Sequence, residues 1–195
     1  DKKDYYLQIV SDEVKRLSRL VQSMLSLAKL ESGDNPINQT NIMLSESIIN
    51  IVLSMEHKIT DKNIEVVGLD GLTDTKISGD ADLIYQVLYN LVDNAVKFTP
   101  NNGEISFSLR RIKDNVEFRI KNTGNGNQKD DLPHIFDRFY KADKARSSQK
   151  DSLGLGLYIC RTIIELHEGN ITVASKDNEY TEFTVVLPTK LTNGE

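Results

Sequence analysis

Cysteine is nearly absent from this chain. Cys160 is the single one in 195 residues, so no internal disulfide framework can form, and a reducing compartment fits. Long apolar runs are missing too: no stretch approaches the roughly eighteen residues that a membrane-spanning helix needs, and no signal-peptide pattern is present. An excess of positive charge is also lacking. The net charge of −5 argues against general nucleic-acid binding, which needs a basic surface. No internal repeat is visible. What is there, 38% hydrophobic and 27% charged residues, is ordinary for a soluble globular protein with one good core, or a domain plus an appendage. The chain opens on Asp1 inside a helical pattern, and is expected to be a piece of something longer.

Two kinds of object follow one another. Leu7, Val10, Val14, Leu17, Val21, Met24 and Ala28 recur at spacings of three and four, a heptad seam. Leu20, Leu25, Leu27 and Leu30 widen it into the face of a bundle helix. Each such side chain contributes roughly 1.5–3 kcal/mol when buried, so the face must find a cover: a missing helix, a second copy or the domain behind it. Gly33-Asp34-Asn35-Pro36 ends this helix. The expected division is a bundle helix over 1–33, a linker over 34–42, a domain over 43–190 and a tail over 191–195.

Within the domain, Ser45 is positioned to cap a helix that buries Ile48, Ile51, Val52, Met55 and Ile59. Residues 64–69 and 74–78 read as short strands. Asp80 can cap a second helix, which Thr99-Pro100 and Asn101-Asn102-Gly103 end in a turn. Residues 104–112 and 115–121 read as a hairpin around Lys113-Asp114, 155–167 as a helix, and 170–176 and 181–187 as closing strands. Adjacent strands between helices, rather than strict alternation, predict an α+β sandwich with helices on a mixed sheet.

The second helix carries the most informative pattern. Leu83, Ile84, Val87, Leu88, Leu91, Val92 and Ala95 form its apolar face, while Asn90, Asn94 and Lys97 line up beside it. A solvated helix face usually takes Glu and Lys, because Asn has poor helix propensity. Two amide oxygens one turn apart can share a hard cation such as Mg²⁺, and the ammonium beyond them can neutralise a phosphate. The plainer alternative is a polar helix face. Thr123-Gly124-Asn125-Gly126 and Gly154-Leu155-Gly156 bracket a charged loop, and glycines there admit close backbone approach. A helix opening at the second cluster is a ready phosphate site, or simply a capped turn. Lys141, Lys144 and Arg146 either clamp a polyphosphate or form a solvated loop with Asp137, Asp143 and Asp151.

In order, these pieces resemble the ATP-binding catalytic domain of a sensor histidine kinase, in the superfamily shared with gyrase, Hsp90 and MutL. Asn90–Thr99 matches the family's N box, Asn122–Gly126 its first glycine box, Ile135–Tyr140 its F box, and Gly154–Leu157 its second glycine box. Thr181-Glu182-Phe183 with Leu187-Pro188 matches its last strand, and residues 5–32 resemble the second helix of its dimerisation and phosphoacceptor bundle. The resemblance implies a Bergerat-type ATP-binding fold with ATP and Mg²⁺ as cofactors. Asn94 would ligate Mg²⁺, Asn90 would position its water or phosphate, and Lys97 would contact phosphate; Asn90 and Lys97 are the candidate catalytic residues. Phe98 would line the pocket, Gly124, Gly126, Gly154, Leu155 and Gly156 would form its floor and lid hinge, and Lys141 and Arg146 would face the γ-phosphate. Thr181 would sit near the adenine.

The departures carry their own expectations. Asn122 stands where the family has an adenine-reading Asp. An amide oxygen still accepts a hydrogen bond, without charge assistance, and its NH₂ can meet a guanine oxygen. ATP is expected to bind more weakly, with discrimination against GTP relaxed. Asn127 replaces an apolar residue, and Ser152 replaces a glycine that would loosen the lid. His57, His134 and His167 do not resemble the family's phosphoacceptor, so autophosphorylation is not expected of this chain. The whole protein is expected to be a membrane sensor with its kinase part on the cytoplasmic side, dimeric through the N-terminal helix, passing phosphate to the Asp of a response regulator. Two alternatives differ in class. A non-kinase ATPase of the same superfamily is disfavoured because Asn90 cannot act as a general base toward water. The other is a degenerate dimerisation module with little affinity for nucleotide.

Overall fold

The computed structural model describes residues 37–141 and 154–191, with scattered positions between 6 and 30. Lys144, Arg146 and Ser152 lie outside the described residues. The scattered N-terminal positions are all helical; Leu7, Val10, Val14, Leu17, Val21 and Met24 remain exposed along them, whereas Leu30 packs against the core. Among the described residues no helix is long and apolar enough to cross a membrane.

The domain opens with a strand, β1 (Gln39–Met43), inside the stretch expected to be mostly linker. Helices α1 (Leu44–Ser54) and α2 (Glu56–Asp61) follow, divided at Met55 where one continuous helix was predicted. Ser45 is not the cap. Met43 holds that position without a side-chain bond, and Ser45 turns inward, its hydroxyl 3.4 Å from Asp74 Oδ1. Strands β2 (Glu65–Val67) and β3 (Lys76–Asp80) lead into helix α3 (Ala81–Phe98). Here the predicted cap is present: Asp80 Oδ1 accepts from the Asp82 and Leu83 amides at 3.1 and 3.2 Å. Hairpin β4 (Glu104–Ile112) and β5 (Asn115–Thr123), helix α4 (Gly156–Leu166) and strands β6 (Asn170–Lys176) and β7 (Tyr180–Pro188) complete it.

The main sheet runs β2-β4-β5-β7-β6; β2 pairs parallel with β4 and the other pairs are antiparallel, while β1 and β3 form a separate ladder. Period-two alternation gives this sheet one apolar face. Val116, Phe118 and Ile120 of β5, Phe183, Val185 and Leu187 of β7, and Ile171 of β6 are buried on it. Helix α3 packs against this face and against α4, burying Ile84, Val87, Leu88, Leu91, Val92, Ala95 and Val96. The opposite face is polar. There Glu117 accepts from Arg119 Nε at 2.8 Å and pairs with Arg110 at 2.6 Å, and the Arg119 hydrogen bond above all holds its carboxyl below the usual range.

His167 fastens α4 to the start of α3. Its Nδ1 donates to Ile163 O at 2.7 Å, and its Nε2 accepts from the Asp80 amide at 3.0 Å. The ring fills space that a side chain at position 79 would need, since a Cβ on Gly79 would meet His167 Cδ2 at 2.8 Å. Helices α3 and α4 are thus joined at the Asp80 cap.

Candidate nucleotide-binding site

The apolar face of the sheet turns polar at one end. Asn122 lies opposite Thr181 in the β5–β7 ladder, and Thr181 opposite Ser175 in the β7–β6 ladder. Asn122 and Thr181 are buried, so their polar groups need partners. Asn122 Nδ2 donates to Thr123 O at 3.0 Å, which fixes the amide's orientation and uses one of its two hydrogens. Thr181 Oγ1 accepts from Asn127 Nδ2 at 3.0 Å, and Ser175 Oγ accepts from the Asn127 amide at 2.7 Å. Ser175 in turn donates to Tyr180 O at 2.6 Å. Asn127, an oddity in the sequence, fastens the loop after Gly126 to β6 and β7.

The first glycine cluster meets the end of α3. A Cβ on Gly124, whose φ is +155°, would lie 2.7 Å from Phe98 O; on Gly126, φ +66°, it would lie 2.2 Å from Lys176 O. Both positions therefore exclude any side chain. The Phe98 backbone, rather than its ring, makes this contact; the ring is 58% exposed, with Lys97 Nζ 5.2 Å from its centroid.

The second cluster meets the middle of α3. Among the described residues, a Cβ on Gly156 would have only Asn90 within 4 Å, with Cγ and Nδ2 each at 4.0 Å. Leu155 holds the cap position of α4 without a side-chain bond and is itself buried, so the first-turn amides of α4 get no cap from it. Asn90 and Asn94 are half-buried on α3, and Lys97 follows one turn on. The F box closes against the same cluster: Phe139 N donates to Gly154 O at 2.9 Å, and Tyr140 O would lie 2.6 Å from a Cβ on Gly154. Phe136 packs edge-on against Phe183, anchoring the loop to the sheet. Lys141, next to Tyr140, is the last described residue of this segment. Asn90, Gly154, Leu155 and Gly156 are thus together at one end of α4, and Asn122, Gly124, Gly126 and Thr181 at one end of the sheet, with α3 joining the two groups.

Cys160 escaped the sequence reading because nothing in one dimension pairs it with Asn90. It is fully buried on α4 facing α3; burial pushes its thiol from the ordinary 9.0 up to about 12, against a hydrogen bond from Asn90. A folded-state pKa above the unfolded one gives stability that is complete below about pH 9 and is lost as pH rises through about 12. A thiol reagent at neutral pH is expected to leave native Cys160 unmodified and to label it only on unfolding. Fast labelling without denaturant would show that α3 and α4 separate more readily than this packing implies.

These features describe an α+β domain in which two glycine clusters pack against one polar-faced helix. Residues 79–191 match the family described as histidine kinase-, DNA gyrase B- and HSP90-like ATPase, and the chain belongs to that family. Its nucleotide is accordingly ATP, and its domain has the form found in sensor histidine kinases. Sensor protein SrrB of Staphylococcus aureus (strain NCTC 8325 / PS 47) is 35% identical over 182 residues, 93% of this chain and 31% of that protein. The nucleotide-free catalytic domain of histidine kinase ThkA aligns with a TM-score of 0.67 at 29% identity, covering 78% of this chain and 97% of that one. ThkA in complex with response regulator protein TrrA aligns with a TM-score of 0.72 at 28% identity, over 94% of this chain and 50% of that one. The chain spans about a third of the length of the SrrB proteins it matches.

Proposed function

We propose that this chain is the catalytic part of a sensor histidine kinase, which binds Mg²⁺–ATP and presents the γ-phosphoryl group to a histidine other than its own three. The observation that carries the reading is Asn90 of α3 facing the N-terminus of α4, where a Cβ on Gly156 would meet the Asn90 amide at 4.0 Å and Leu155 gives no side-chain cap. The donor set fits Mg²⁺: neutral amide oxygens suit a hard cation that arrives with phosphates, and no cluster of three or more His, Cys, Asp or Glu among the described residues offers a separate metal site. When bound, Mg²⁺ neutralises phosphate charge and ATP supplies the phosphoryl group. Asn94 holds the metal, Asn90 orients its water or a phosphate, and Lys97, Lys141 and Arg146 balance phosphate charge. Gly124, Gly126, Gly154, Leu155 and Gly156 leave room for the ligand, with Phe98 and Thr181 at its base end. These groups position and neutralise; none forms a bond to phosphorus.

The three histidines support a target elsewhere. His167 is fully buried with both ring nitrogens bonded, His134 Nδ1 lies 2.8 Å from Asp137, and His57 Nδ1 lies 2.7 Å from Asp61. With γ-labelled ATP, this chain alone is expected to acquire no acid-labile phosphate; stable labelling of any of the three would overturn this part of the proposal. The 1–33 segment serves as the second helix of the dimerisation bundle, consistent with its uncovered apolar positions, and the 43–190 domain serves as the ATP-binding unit. In the whole protein the next acceptor is a response-regulator Asp, the assembly is a homodimer, and the kinase part lies on the cytoplasmic side of a membrane.

Asn122 sets the base preference. Its Oδ1 serves as acceptor for the adenine amino group, and the amide hydrogen not engaged by Thr123 can meet a guanine oxygen. GTP is therefore expected to displace a fluorescent ATP analogue at millimolar concentration, more weakly than ATP. No detectable displacement by GTP, with ATP binding in the micromolar range, would refute the relaxed discrimination.

A further inference from the structure

The last carbonyls of an α-helix have no partner within the helix, and here they lie beside the residues that meet the nucleotide. Helix α3 ends without a glycine in the left-handed region: Thr99 at its C-cap is extended, with φ −71° and ψ 129°, and Pro100 follows. The usual turn that satisfies these groups is therefore missing. Thr99 covers only Ala95 O, donating from its amide at 2.9 Å and its hydroxyl at 2.6 Å. Lys62, more than thirty residues upstream at the end of α2, covers the next two and the carbonyl of Thr99 itself. Its Nζ donates to Val96 O at 2.8 Å, Lys97 O at 2.8 Å and Thr99 O at 2.9 Å. An ammonium has three hydrogens, and all three are used.

This cap has an electrostatic side as well. A helix C-terminus carries about half a negative charge, and α3 directs that end toward the turn bearing Lys97, where an anionic ligand is to be held. The Lys62 ammonium offsets it at the three carbonyls. The turn that carries Lys62 is itself fixed: the Asn102 amide donates to Lys62 O at 2.9 Å, and Asn63 Nδ2 donates to Asn102 Oδ1 at 2.7 Å. On its other side, the same helix end meets Gly124 through Phe98 O.

From this we infer that Lys62 is a positioning residue for the nucleotide site, acting through the final turn of α3 to place Lys97 and Phe98. The inference rests on the nucleotide-binding reading above. Its test is a double-mutant cycle on the full chain, with a non-hydrolysable ATP analogue and Mg²⁺ as the probe. Lys62→Met is expected to weaken binding about five- to tenfold in the wild-type background and to have less than about a twofold effect in a Lys97→Ala background. Equal losses in both backgrounds would reduce Lys62 to a general stabiliser and overturn the inference. Thermal melting confirms that each variant is folded. If Lys62→Met does not fold, Lys62→Gln, which donates at most two hydrogen bonds and carries no charge, is expected to show the same coupling at smaller amplitude; additive losses there would likewise overturn it. Failure of the wild-type chain to bind the analogue would instead remove the nucleotide-binding reading itself.

Discussion

Replacing Asn94 with alanine is expected to lower the affinity for Mg²⁺–ATP by about 100-fold or more, with a melting temperature equal to or slightly above that of the parent. The two effects separate because they have different causes. Asn is a poor helix former, and Ala in the interior of α3 improves intrinsic helix stability by up to about 0.7 kcal/mol. The side chain is half-buried beside the apolar face and is no part of the core. What the substitution removes is the amide oxygen proposed to hold Mg²⁺ against the phosphates. Titration with an ATP analogue, with and without Mg²⁺, together with a thermal melt, reads both quantities. A loss of less than about threefold would show that Asn94 is not the metal ligand.

Gly126→Ala is expected to damage stability and binding together. At φ +66° any L side chain is strained, and the new Cβ would lie 2.2 Å from Lys176 O, closer than any rotamer change can relieve. The strain alone costs about 1–3 kcal/mol. Relief requires the loop to lift from β6, which breaks the Asn127 bonds to Ser175 and Thr181, worth about 1 kcal/mol each. Thr181, proposed to lie near the base, then loses one of its two hydroxyl partners and keeps only Ser175. Chemical denaturation should show a fall of several kcal/mol, and nucleotide titration a reduced affinity for ATP. A variant as stable as the parent, binding ATP equally well, would mean that this loop does not shape the site.

Much of the domain was legible because it is written in local periodicity. The face from Ile84 to Ala95, the Asp80 cap and the hairpin at Lys113-Asp114 each depend on residues a few positions apart, and each is where the pattern put it. The misses are long-range. Strand β1 is polar and exposed at Gln39, Thr40 and Asn41, and becomes a strand only by pairing with β3 more than thirty residues away. Ser45 has the right chemistry for a cap but is drawn inward toward Asp74. The same limit applied to the site. Ordered motifs singled out Asn90, Asn122 and the glycines as candidates, whereas Cys160 beneath Asn90 and Lys62 at the end of α3 gain their meaning only from contacts between distant segments. Asn127 shows the converse: it read as a departure, and the fold gives it two bonds.

The central claim is that the site on α3 and α4 takes ATP together with Mg²⁺. Isothermal titration of this chain with ADP and a non-hydrolysable ATP analogue, each with and without Mg²⁺, tests it most directly. The account predicts binding in the micromolar range that weakens sharply when Mg²⁺ is withdrawn. No binding at millimolar nucleotide would contradict it, and would leave the chain a dimerisation module built on a nucleotide-binding fold.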